Sequence, residues 1–101
     1  MVTRETIIEV LKTIEDPELF IDIWFLGLIY NIDIKEAPEG KSLVKIEMTF
    51  TSPMCPAGPQ MVHEIDDKVK KLEGVAAVDV SVTFVPPWEP SEEVKGMLGM
   101  L

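Results

Sequence analysis

The sequence predicts an α+β fold: a two-layer α/β sandwich in the order α-β-β-α-β-α, with a small mixed three-stranded sheet covered by helices on one face. Three observations lead there. Three segments alternate apolar and polar residues with a period of two, as strands with one wet face do. Three others repeat apolar residues at helical spacing. At 101 residues, 47% of them hydrophobic, there is room for a single domain with one core, spanning residues 1–101.

Each element has local reasons. Thr3 is placed to cap a first helix running to about Glu15, Val2 and Ile7 have the spacing of a hydrophobic staple, and Ile7, Ile8, Leu11 and Ile14 form its apolar stripe. Pro17 is expected to end it. Residues 16–27 read as an ordered loop, too rich in Phe20, Ile23, Trp24 and Phe25 to stay free of the core or of a second chain. In the first strand Leu28, Tyr30, Ile32 and Ile34 share the apolar face. The turn residues 37–41 join it as a hairpin to a second, where Val44, Ile46, Met48 and Phe50 alternate with Lys45, Glu47 and Thr49. A helix over about 58–72 buries Met61, Val62, Ile65, Val69 and Leu72, and Gly74 stops it. The third strand carries Val78, Val80, Val82 and Phe84 on its dry face. Pro86-Pro87-Trp88 makes a stiff extended exit, and Ser91 caps a last helix with Val94, Met97 and Leu98.

Eighteen acidic against nine basic residues give a formal charge of −9. Such a surface repels phosphate backbones, so nucleic acid is not an expected partner. No apolar run approaches the length of a membrane span and no signal core opens the chain, so a cytoplasmic protein is expected, without membrane association. A single cysteine excludes an intramolecular disulfide.

That cysteine, Cys55, stands where the second strand pattern stops and the second helix pattern starts, bracketed by Pro53 and Pro56. A thiol just before a helix start lies near unpaired N–H groups that favour the thiolate, the form that binds metals. The alternative is a small buried residue that fills space. Asp16, Glu18 and Asp22 crowd one apolar loop and could bind a cation, although Asp16 equally suits an Asx-turn before Pro17. Thr49 and Thr51 are expected on the face opposite the core, able to line a groove with Cys55 or simply suited to an exposed strand. Trp88 is a lid on the core or a wall facing a partner. His63 falls on the wet side of its helix, two turns from Cys55. No phosphate-binding glycine loop, HExxH, GxSxG or CxxC occurs. One thiol cannot enclose a metal, so any metal needs ligands from acids, a second protomer or a partner.

Asp16-Pro17-Glu18, Leu26-Gly27-Leu28-Ile29-Tyr30, Thr49-x-Thr51-x-x-x-Cys55-Pro56 and Pro86-Pro87-Trp88 occur in this order and at these intervals. Together they resemble the small acidic domain of the phenylacetate-degradation protein PaaD, the assembly factor SufT and eukaryotic cytosolic iron–sulfur targeting proteins, over about residues 3–99. The resemblance implies a domain related to iron–sulfur scaffold C-terminal domains, a role in maturing iron–sulfur proteins, and no enzymatic turnover. It carries the family's reactive cysteine onto Cys55, its acidic loop onto Asp16 and Glu18, its strand threonines onto Thr49 and Thr51, and its aromatic exit onto Trp88. The loop 20–25 is more aromatic than the family pattern. The expectation is a stand-alone accessory or carrier protein in which Cys55 is the pocket's thiolate and metal ligand. A transient iron–sulfur cluster or iron would be the cargo, none of it tightly bound. Client apoproteins and other assembly factors would be the partners, and a homodimer could bring two Cys55 side by side. The rival is a metal-free adaptor that docks clients through its aromatic loop and Trp88. A thiol enzyme lacks an evident base.

Overall fold

In the computed structural model, residues 2–17, 19–51 and 58–99 are described, Leu98 through its backbone only. The elements are α1 (Arg4–Leu11), β1 (Ile29–Glu36), β2 (Ser42–Met48), α2 (Gly58–Lys70), β3 (Val75–Val82) and α3 (Glu92–Leu98). This is the expected order. The sheet runs β1-β2-β3, with β1 antiparallel and β3 parallel to β2, so it is mixed.

The cap and staple form as the sequence predicts. The Thr3 side chain accepts from the Thr6 N–H at 3.2 Å, and Val2 and Ile7 are both buried. The Val2 N–H also donates to the Ser42 hydroxyl at 3.2 Å, tying the chain start to the first residue of β2. The helix stops at Leu11, however, short of the expected Glu15. The Thr13 hydroxyl bonds the Val10 carbonyl at 2.6 Å and the Ile14 N–H reaches Leu11, so the last turn tightens and closes. Ile14 is still buried, but in extended chain: its carbonyl accepts from the Ile23 N–H at 2.9 Å. Pairing with the following loop ends α1, before Pro17 is reached.

The hairpin β1–β2 turns through a short 3₁₀ segment, Pro38–Gly40. Its ladder slips between Ile29 and Asn31, which changes the expected face of β1. Ile29 opposes Met48 and packs on the core; Tyr30 is the extra residue of a bulge and sends its hydroxyl to the Pro86 carbonyl, 2.8 Å away. In β2 the alternation is strict, with Val44, Ile46 and Met48 buried and Leu43, Lys45 and Glu47 exposed. The buried side meets Ile7 and Leu11 of α1, Met61, Ile65 and Val69 of α2, and Val94 of α3 in one cluster. The helices therefore cover one face of the sheet and leave the other to solvent.

On the wet side of α2, Lys68 pairs with Glu64 at 3.1 Å and Lys71 with Asp67 at 3.0 Å. The Lys71 hydrogen bond and charge hold the Asp67 carboxyl below its ordinary range. Two expectations for the C-terminal third need correction. Val82 and Phe84 are substantially exposed, at the end of β3, which is an edge strand. Met97 is 60% exposed, while Val94 alone of its expected stripe is seen buried; the Leu98 side chain lies outside the described residues. Ser91 caps α3 as expected, accepting from the Val94 N–H at 3.2 Å.

Candidate functional site

The chemistry-bearing residues gather toward one end of the sheet because of its topology. The ends of the parallel strands β2 and β3 and the start of the antiparallel β1 share that end. The ladder continues past the strands there: the Thr49 N–H donates to Leu28 and the Thr83 N–H to Met48, both at 2.8 Å. From this end the chain leaves at Thr51 and returns at Gly58 to begin α2. Its two ends are seated on each other. The Phe50 ring occupies the space where a side chain on residue 58 would stand, since a Cβ there would meet ring carbons, one of them at 2.6 Å. Phe50 in turn meets Phe84 edge to face, at 6.0 Å between centroids and 70°. Glycine at 58 is thus required by close approach.

Cys55, between Thr51 and Gly58, lies outside the described residues, and so does Glu18 of the acidic loop. The remaining expected site residues are placed as follows. Thr49 is fully buried, so it is not the exposed strand position that was one expectation; it follows the last residue of β2 and its N–H continues the ladder to Leu28. Its hydroxyl reaches the Phe50 carbonyl at 3.5 Å. Thr51 is half-buried at the mouth of the segment. Trp88 packs against the core and its indole N–H donates to the Leu26 carbonyl at 2.6 Å. With the Tyr30–Pro86 bond, this straps the exit of β3 across the end of the sheet. The chain bends at Val85 and Pro86, where an extended run was expected.

The acidic loop is a small hairpin. Glu15 bridges Asp22, the Asp16 N–H donates to Ile21 at 3.0 Å, and the Phe20 N–H donates to the Asp16 carbonyl at 2.7 Å. Asp16 is fully buried and one of its carboxylate oxygens accepts from the Leu19 N–H at 3.2 Å; Asp22 similarly accepts from the Phe25 N–H at 2.9 Å. Each acid therefore shapes its turn. Among the described residues no group of three or more His, Cys, Asp or Glu is placed to hold a metal ion. His63 is exposed.

The aromatic loop divides. Ile21, Ile23 and Leu26 are buried, and Trp24 packs on the core with the Arg4 guanidinium 5.7 Å from its ring centroid. Phe20 is 75% and Phe25 39% exposed. The aromatic content of this loop is evident in the sequence, whereas the close packing at Gly58 and the exposure of Met97 are not. The G-P pair at 58–59 was the available signal for the first, whereas nothing in the spacing of α3 marked the second.

No helix among the described residues is long and apolar enough to cross a membrane. Residues 4–82 match the family described as iron–sulfur cluster assembly protein. The Fe-S protein maturation auxiliary factor of Porphyromonas gingivalis is 37% identical, over 98% of this chain and 93% of its own length. The Fe-S protein maturation auxiliary factor SufT of Staphylococcus aureus is 33% identical over 72% of this chain and 78% of its own. Among solved structures, a conserved hypothetical protein of Thermotoga maritima superposes with a TM-score of 0.81 at 40% identity, covering 97% of this chain and 95% of that one. The fold is thus shared with a solved structure, and the chain belongs to the iron–sulfur cluster assembly family.

Proposed function

We propose that this protein is an accessory factor in the maturation of iron–sulfur proteins, and that Cys55 is the one thiolate it offers to iron or to a cluster in transit. It is not proposed to turn over a substrate. The supporting observation is the packing of the residues on either side of the stretch that bears Cys55: Gly58 sits on Phe50, Phe50 on Phe84, and the Trp88 strap crosses the same end of the sheet. Cys55 precedes in sequence the N–H groups that open α2, which favour a thiolate in such a position. One thiolate does not complete a metal's coordination, so a cargo bound through Cys55 would need further ligands from acids, a partner or a second protomer, which suits a cargo that must be released.

The test is restoration of iron–sulfur enzyme activity in a host deleted for its own member of the family. The wild-type chain should restore it. Cys55→Ser, expressed to the same level, should not. Full restoration by Cys55→Ser would remove the thiolate from the mechanism and favour an adaptor that never holds metal.

A further inference from the structure

Phe20 has a backbone φ of +58°, a left-handed conformation that bulky residues rarely adopt, and yet its ring is 75% exposed. The fold thus holds a large apolar group outward where glycine or asparagine would fit the backbone better. On one side of the ring is a groove of about 300 Å³ whose walls include Glu15, Pro17, Met61 and Glu64; on the other is one of about 310 Å³ whose walls include Glu15, Asp22, Phe25 and Met97. Phe20, Phe25 and Met97 form the apolar part of this surface. Its rim is acidic. Among the described residues Glu15 and Asp22 have no lysine or arginine within ion-pair distance, while Lys12, the cation of the second groove, is held by Glu9 at 3.5 Å.

We propose that this surface docks a protein segment presenting an apolar side chain flanked by lysine or arginine. Charge decides the occupant. A second copy of this chain would bring the same acidic rim and the same net charge of −9 against it, whereas a basic segment neutralises Glu15 and Asp22 as its apolar residue covers Phe20. The surface rests on the proposed accessory role only in naming the partner a client; it requires neither metal nor Cys55.

The test titrates the ¹⁵N-labelled full chain with three synthetic peptides: a Leu-Phe pair flanked by lysines, the same pair flanked by glutamates, and a Ser-Ser pair flanked by lysines. Only the first should give saturable shifts, centred on the amides of Ile21, Phe25, Gln60 and Met97. Phe20→Asn keeps a residue that tolerates the left-handed backbone and should weaken that binding at least about tenfold. Glu15→Lys should weaken it as well, and the wild-type affinity should fall with added salt. Cys55→Ser should bind like wild type, which separates this surface from the thiolate reading. The proposal is overturned if the lysine-flanked Leu-Phe peptide does not saturate, if the glutamate-flanked peptide binds as well, or if Phe20→Asn binds unchanged. A wild-type dimer in sedimentation that Phe20→Asn dissolves would assign the surface to a second copy and overturn it too.

Discussion

At the scale of single residues, the loop between α1 and β1 separates rings that the sequence leaves undivided. Trp24 packs on the core beneath Arg4, while Phe20 points to solvent from a left-handed backbone. Their substitutions should behave in opposite ways. Trp24→Ala removes packing from a half-buried site and should cost about 2 kcal/mol, below the range for a fully buried ring. Phe20→Gly relieves a left-handed backbone that costs a side-chain-bearing residue roughly 1–2 kcal/mol, offset in part by the greater freedom of glycine in the unfolded chain. It should leave stability unchanged or raise it by up to about 1 kcal/mol. Urea unfolding of both variants checks this, and a destabilising Phe20→Gly would show that the ring serves the fold. Apolar character was legible here from composition, since Ile21, Ile23 and Leu26 are buried as such residues should be. Which aromatic faces inward was not, because it depends on the hairpin turn between Asp16 and Ile21, and no periodic pattern encodes that turn.

At the scale of elements, strand and helix identities were readable because their periods are clean. β2 shows this best, with four buried and three exposed residues in alternation. The misreadings fall where hydrogen bonds override period. α1 closes early on the Thr13 hydroxyl, and Tyr30 leaves its ladder as a bulge. The junction of β2 with α2 is a matter of steric fit. Gly58→Ala would drive a methyl into the Phe50 ring, and it should cost about 1–3 kcal/mol, as overpacking does. A double-mutant cycle identifies the cause: in a Phe50→Leu background the same substitution should cost less than half as much. Equal costs in the two backgrounds would mean that Phe50 does not set the requirement for glycine.

At the scale of the whole molecule, the fold brings three tasks to neighbouring places. The sheet end anchors the segment carrying Cys55, the Trp88 strap braces that end, and the Phe20 surface lies along the first turns of α2, which follow the same segment. The four motifs in register made the family legible in the sequence, and the match over residues 4–82 takes in the first three of them. The acidic loop was less legible. Asp16 and Asp22 look like ligands in a list of residues, but in the structure each spends a carboxylate oxygen on a turn N–H. The thiolate remains the proposed point of contact with the cargo, and anaerobic reconstitution with iron and sulfide tests it most directly. Wild type should gain a sulfide-to-iron charge-transfer absorbance that it surrenders to an apo-acceptor. Cys55→Ser should gain none while keeping the wild-type circular dichroism. An equal absorbance band in folded Cys55→Ser, or none in wild type, would contradict the assignment of Cys55 as the residue that holds the cargo.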